Sequence, residues 1–117
     1  MSDTKLTIAI PLANGQLCQH FGHCQQFALI VANPANGEII SSNNLTPPPH
    51  EPGVLPRWLA EQNATLIIAG GMGQRAQDLF TEQGIKVVVG APVGAPAELV
   101  KAYLSNTLKT GTNSCAH

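Results

Sequence analysis

Two hydrophobic patterns alternate along this chain and predict its secondary structure. Apolar or β-rich runs bounded by turn residues predict five strands, at residues 5–12, 27–32, 38–43, 64–69 and 85–90. Apolar residues at helical spacing predict three helices, at residues 55–63, 76–84 and 98–108. The order is strand, strand, strand, helix, strand, helix, strand, helix, so we predict an α/β fold.

The strand order also predicts how the sheet is assembled. Strands that alternate with helices in the second half imply right-handed crossovers and parallel pairing. A turn cluster at residues 33–37 joins the second and third strands into a hairpin, and the more polar third strand is expected at an edge. We therefore predict a single domain with a mixed five-stranded sheet flanked by helices. The loops after residues 5–12 and 64–69 are expected to share one rim, where ligands collect in such sheets.

Composition and charge argue against several classes of protein. The 117 residues are 44% hydrophobic, as in a globular domain, and no apolar run approaches the roughly 18 residues of a membrane span. Six basic residues against seven acidic ones leave a net charge of −1 without a basic run, so a nucleic-acid partner is not expected. Because residues 1–5 lack a signal-peptide profile, we expect a cytoplasmic protein with no membrane partner.

Cysteine and histidine residues suggest a metal or metal-cluster site. The ligand-type side chains are Cys18, His20, His23, Cys24, His50, Cys115 and His117. Three thiols do not form a closed disulfide set, and a structural zinc site or an all-cysteine iron–sulfur cluster needs a different pattern. An open or mixed site for a thiophilic metal or a preformed cluster fits better. The alternative is that the cysteines are small buried hydrophobic residues and the histidines cap turns.

A glycine-rich segment follows the strand predicted at 64–69. Residues 71–76 match the G-x-G-x-x-A form of the dinucleotide fingerprint, and they lie between a strand and a helix. The acidic residue expected about twenty positions later is missing. More generally, glycine N–H groups at a helix start, with Arg75 in the first turn, predict an anion site. A nucleotide-dependent enzyme that uses Gly71, Met72 and Gly73 is therefore the alternative function.

Nucleophilic catalysis has weaker support. The chain has no G-x-S-x-G motif, and its serines lie in the predicted hairpin or near the termini. Cys24 beside His23 could form a nucleophile and base, but adjacent residues rarely face each other in the required geometry. We therefore do not predict a nucleophilic hydrolase.

The motifs together resemble the dinitrogenase iron–molybdenum cofactor biosynthesis family. The resemblance is carried by residues 20–24 with Phe27, His50 with Gly53, residues 68–76 with Phe80 and 84–85, and residues 103–117. It spans nearly the whole chain, and the motifs occur in the family's order. It implies a ribonuclease H-like fold. It also implies a carrier of the iron–molybdenum cofactor or its precursor, or a stand-alone protein that holds a molybdenum–copper sulfide cluster non-covalently.

The resemblance further implies which residues bind this cargo. The implied cofactor contacts are His20, His23, Cys24, His50, Gly70, Gly71, Met72 and Gly73. We add Arg75, which would balance the charge of the cluster, and Phe21, which would exclude water from it. The implied metal ligands are His20, His23, Cys24, His50, Cys115 and His117. Residues 1–117 would then form one cluster-binding domain without catalytic residues, and proteins that donate or accept the cluster would be its partners.

Overall fold

A computed structural model describes residues 5–13, 15–17, 26–47 and 54–108 of the chain. Within these residues lie the strands and helices β1 (Leu6–Ala13), β2 (Gln16–Leu17), β3 (Gln26–Asn33), β4 (Glu38–Leu45), α1 (Val54–Glu61), β5 (Leu66–Ile68), α2 (Gln74–Glu82), β6 (Lys86–Val88) and α3 (Pro96–Leu104). All five predicted strands and all three predicted helices are present, which confirms the α/β prediction. The two-residue strand β2 was not predicted, because a segment this short has no readable periodicity.

The strands form one mixed sheet in the order β4-β3-β1-β5-β6, and β2 pairs with the end of β1. β1 is antiparallel to β3, and β3 forms an antiparallel hairpin with β4. β1, β5 and β6 pair in parallel, as predicted for the second half of the chain. The polar strand β4 lies at an edge, which is also confirmed. The ribonuclease H-like name for this arrangement stays a prediction.

Both faces of the sheet are covered by helices. Leu59 of α1 and Phe80 of α2 pack in a cluster on one face, and Leu99 of α3 packs in a second cluster on the other. Ile67 belongs to the first cluster and Ile68 to the second, because consecutive strand residues point to opposite faces. This is why β5 is apolar at every position: it is buried on both sides.

Element ends differ from the predicted ones for identifiable reasons. α3 begins earlier than predicted, at Pro96, where the fixed φ of proline suits the first helical turn. It ends at Leu104 because the chain turns back through Asn106, which has a positive φ of 62°. Gly84, with φ of 79°, follows α2 and its N–H donates to the Thr81 carbonyl at 3.0 Å, so it caps the end of this helix.

A β-bulge in β4 decides which face of the sheet its hydrophobic residues pack on. The register against β3 shifts by one residue, and this leaves Ile40 without a partner and 47% exposed. Ile39 and Leu45 are six positions apart and would share a face of a regular strand. Because of the bulge, Ile39 packs on the α3 side and Leu45 on the side of α1 and α2.

The carboxyl ends of four strands meet at one edge of the sheet. β1, β5 and β6 are parallel, and β4 reaches the same edge because it is antiparallel to β3, which is antiparallel to β1. We call this edge, with residues 12–13, 15–17, 46–47, 69–73 and 89–95, the rim. The chain segments that follow β1 and β5 both begin there, as the sequence predicted.

Candidate functional site

The loop from β5 to α2 provides backbone donors at the rim. Gly70, Gly71 and Met72 are buried, and Gly73 forms the extended N-cap of α2 without a side-chain capping bond. The first N–H groups of any helix lack partners within that helix. In the described parts of this chain, the N–H groups of residues 74–76 have no acceptor. They are therefore available to an anion at the rim.

Hydrogen bonds to the neighbouring loop hold the beginning of this segment. The Gly70 carbonyl accepts a hydrogen bond from the Gly90 N–H at 2.8 Å, and the Ala69 carbonyl accepts one from the Ala91 N–H at 3.2 Å. Gly90 has φ of 82°, a conformation that glycine adopts without strain. The loops after β5 and β6 are thus fixed to each other, and these carbonyl oxygens are engaged within the protein.

Gln77 holds the end of the same loop and was not identified from the sequence. Its side-chain Nε2 donates to the Met72 carbonyl at 2.9 Å, and its backbone N–H donates to the Gly73 carbonyl at 3.1 Å. A glutamine on a polar helix face carries no sequence signal for such a role. With the carbonyls of Gly70, Met72 and Gly73 occupied and the N–H groups of residues 74–76 left over, the start of α2 presents mainly N–H groups to the rim, which suits a negatively charged ligand.

Two predicted contact residues of this loop differ in exposure. Met72 is fully buried in the core cluster on the α1 and α2 side, where it supports the loop from within the protein. Arg75 is exposed in the first turn of α2, and no carboxylate of the described residues pairs with it. Its charge therefore adds to the positive end of the helix. Contact of either side chain with a cofactor stays a prediction.

All three cysteines and all four histidines lie outside the described residues. The predicted roles of Cys18, His20, His23, Cys24, His50, Cys115 and His117, and that of Phe21, therefore stay predictions. Among the described residues, no group of three or more His, Cys, Asp or Glu side chains could hold a metal ion. That statement covers none of the predicted thiolate or imidazole ligands.

The described neighbours of residues 18–25 nevertheless lie at the rim. Leu17 of β2 and Gln26 of β3 both pair with Leu12 of β1. A strand has two hydrogen-bonding edges, so Leu17 and Gln26 lie on opposite sides of β1. With neighbouring strands about 4.8 Å apart, their Cα atoms are about 10 Å from each other. Both connections to residues 18–24, which we call the Cys/His stretch, are thus at the carboxyl end of β1.

The described neighbours of the segment with His50 lie near the same edge. This segment, residues 48–53, follows β4, whose last residue Leu45 pairs with Phe27 at the rim end of β3. The ring of Phe27 also makes an edge contact with Trp58 of α1, with centroids 5.8 Å apart and planes at 68°. Both elements that flank residues 48–53 are therefore anchored to this part of β3.

The fold and the rim define a single-domain α/β protein with a donor-rich glycine loop where such sheets bind ligands. No helix in the described residues is long and apolar enough to cross a membrane. The family model for the dinitrogenase iron-molybdenum cofactor family matches residues 4–106. The chain belongs to this family, as its motifs predicted, and membership supports a role in binding or carrying a metal cofactor.

Several known proteins are similar to this chain. Uncharacterized protein MJ0580 of Methanocaldococcus jannaschii is 30% identical over 109 residues, which cover 89% of this chain and 90% of that protein. The crystal structure of PH0822 matches with a TM-score of 0.83 and 25% identity, over 92% of this chain and 96% of the other. The apo form of the orange protein of Desulfovibrio gigas matches with a TM-score of 0.69 and 19% identity, over 96% and 98%. These likenesses confirm the fold.

Proposed function

We propose that this protein is a non-catalytic carrier of a molybdenum-containing sulfide cluster, of the molybdenum–copper or iron–molybdenum type. One observation carries the proposal beyond family membership. The donor-rich loop that begins at Gly70 lies at the same edge of the sheet as Leu17 and Gln26, which flank the Cys/His stretch. This arrangement supports the proposal, because N–H groups without a described acceptor and the connections of a segment rich in soft ligands share one edge of the sheet.

The chemistry of such a cargo fits the two kinds of donor. A sulfide cluster is polyanionic, and the N–H groups of residues 74–76 with Arg75 would orient it and balance its charge. A hydrogen bond to a charged group contributes about 1.5–3 kcal/mol. Cys24 with His20, His23 and His50 would add thiolate and imidazole ligands, which suit thiophilic metals. Phe21 would exclude water as an apolar neighbour of the cluster, and Met72, which is buried in the core, would support the loop that holds the cluster.

Replaceable contacts suit a carrier better than a closed thiolate cage does. A cluster held by backbone amides, a guanidinium group and a few side chains can be passed to another protein without breaking a full set of metal–thiolate bonds. We infer that Cys115 and His117 are further contacts from the C-terminal segment. We also infer that proteins which donate or accept the cluster are the partners and that the transfer takes place in the cytoplasm.

Metal analysis tests this proposal directly. Protein purified anaerobically from its native cells should contain molybdenum with copper or iron and show sulfide-to-metal charge-transfer bands. Replacing His20 and His23 together with Ala should lower cluster retention sharply, whereas replacing the exposed Asn43 and Asn44 of β4 with Ala should not. A metal-free protein that takes up no thiomolybdate with copper or iron would refute the proposal. Equilibrium dialysis with NAD(P) and FAD would then test the glycine loop as a nucleotide site.

A further inference from the structure

The outer edge of β6 is one of the two free edges of the described sheet. β6 is the last strand in the order β4-β3-β1-β5-β6, and no described residue pairs with it on the side away from β5. Val87 and Val88 are only half-buried there. Apart from Lys86, the strand carries none of the charges or prolines that protect a free edge from pairing with another chain.

The hydrogen bonds to β5 show which backbone groups of β6 face outward. The Lys86 N–H donates to the Thr65 carbonyl at 3.0 Å. The Val88 carbonyl accepts a hydrogen bond from the Ala69 N–H at 2.8 Å. The N–H and C=O groups of one strand residue point to the same side, and successive residues alternate. Val87, between these two residues, therefore presents both its N–H and its C=O to the open side.

A cavity borders this edge on each face of the sheet. The cavity on the α2 side has a volume of about 450 Å³, and polar side chains of α2, among them Gln77 and Asp78, line it together with residues 84–87. The cavity on the α3 side has a volume of about 240 Å³ and is lined by Val88, Tyr103, Asn106 and Leu108. A strand added to β6 would point its side chains alternately to the two faces, and so into the two cavities in turn.

The two cavities differ in chemistry, and this difference indicates which side chains they accept. The exposed Asp78 brings a carboxylate to the cavity on the α2 side, which suits a basic side chain. Lys86 also borders this cavity, but its side chain belongs to the opposite face of β6, together with that of Val88. The cavity on the α3 side has mainly aliphatic and aromatic walls, with the half-buried ring of Tyr103 among them, and suits an apolar side chain.

We propose that the outer edge of β6 binds an extended segment of another protein as an added antiparallel strand. The residue opposite Val87 exchanges both backbone hydrogen bonds with it and directs a basic side chain towards Asp78. The next residue turns its backbone groups away from β6 and places an apolar side chain beside Tyr103. In strand addition, the backbone bonds supply affinity and the alternate pockets supply selectivity.

The position of this edge relates the docked segment to the rim. The rim includes residues 89–95, which directly follow β6, so a protein bound at β6 would lie beside the candidate site. Binding of the segment does not depend on the cargo. Only the consequence that the docked protein donates or accepts the cluster rests on the proposed function.

A blocked hexapeptide that alternates lysine and valine is the probe for this edge. Titrated into the full, metal-free chain labelled with ¹⁵N, it should bind with a Kd below about 1 mM and shift the amide resonance of Val87. The amide resonance of Ser42, in the other edge strand β4, should not shift. The matching peptide of glutamate and valine should bind about threefold more weakly, because it cannot form an ion pair with Asp78.

N-methylation of the peptide tests the strand geometry without any change in the protein. The lysine side chains lie on the α2 face, so the lysine N–H groups donate to β6, whereas the valine N–H groups point away from it. A slip of register that keeps the faces moves the peptide by two residues and preserves this pattern. Methylation of the lysine amides should lower the affinity about fivefold, and methylation of the valine amides should leave it unchanged.

Two variants and a matched control complete the test. Val87→Pro removes the outward N–H without removing a hydrogen bond to β5, and it should lower the affinity for the lysine peptide about fivefold. Asp78→Asn should abolish the preference for the lysine peptide over the glutamate peptide. Glu82→Gln, at an exposed position of the same helix outside the cavity, should leave that preference unchanged. Thermal unfolding of each variant checks that the fold is intact.

Three results would overturn the proposal. The first is no binding of the lysine peptide at about 1 mM, as expected if another part of this chain covers the edge. The second is an equal loss of affinity from both methylation patterns. The third is a dimer that Val87→Pro dissociates, because the occupant would then be a second copy of the chain. Since the chain is metal-free, these results say nothing against the cluster, whereas peptide binding without cluster uptake would refute the proposed function alone.

Discussion

Replacing Gln77 with Leu should loosen the glycine loop while leaving the rest of the fold in place. The change keeps most of the side-chain volume but removes the hydrogen bond from Nε2 to the Met72 carbonyl, which is partly buried. Losing such a bond costs about 1 kcal/mol of unfolding free energy, since the carbonyl keeps only partial access to water. For a domain of this size, that corresponds to a fall of about 4 °C in the unfolding midpoint.

Gln74→Leu is the matched control on the same helix. Gln74 Nε2 also makes a side-chain hydrogen bond, to Asp78 Oδ1 at 2.8 Å, but this pair is exposed and should contribute only about 0.3 kcal/mol. Calorimetry gives the two midpoints, and uptake of thiomolybdate with copper gives the effect on the site. We expect weaker uptake for Gln77→Leu than for Gln74→Leu. Equal midpoints and equal uptake in the two variants would refute a positioning role for Gln77.

Two other variants separate support of the loop from charge at the rim. Met72→Ala removes a fully buried side chain and should lower the unfolding free energy by about 2–5 kcal/mol, as measured by urea denaturation. A loss below 1 kcal/mol would mean that Met72 does not support the loop from the core. Arg75→Glu, at an exposed position, should change stability by less than about 0.5 kcal/mol but lower thiomolybdate uptake. Unchanged uptake would exclude Arg75 from the site.

The fold could be predicted because burial imposes a periodicity on most of the strands. Ile67 and Ile68 must both be apolar, since one faces α1 and α2 and the other faces α3. That requirement is visible in the sequence as an uninterrupted apolar run. β2 is different, because Gln16 and Leu17 are held by pairing with β1 and by the carbonyl of Gly94. These are backbone bonds, which leave no pattern in side-chain hydrophobicity.

Only those parts of the candidate site whose residue types form a recognisable motif could be predicted from the sequence. Glycines 70, 71 and 73 after an apolar strand indicate a tight strand-to-helix connection, and the structure has it. Gln77 has no such signature, because its role depends on where the Met72 carbonyl lies after folding. The bond between the Gly70 carbonyl and the Gly90 N–H likewise joins two loops that only the parallel pairing of β5 and β6 brings together.

The two kinds of donor at the rim should contribute differently to binding. The hydrogen bonds between the loops after β5 and β6, together with those of Gln77, hold the backbone N–H groups in place. These groups need no rearrangement to meet an anion, so they add affinity without an ordering cost. Such donors hardly distinguish one oxyanion from another, whereas thiolate and imidazole ligands select thiophilic metals. Arg75→Glu should therefore weaken thiomolybdate with and without copper alike. The His20 and His23 double variant should lose mainly the additional thiomolybdate uptake that copper provides. This difference would distinguish binding through the charge of the cargo from binding through its metals.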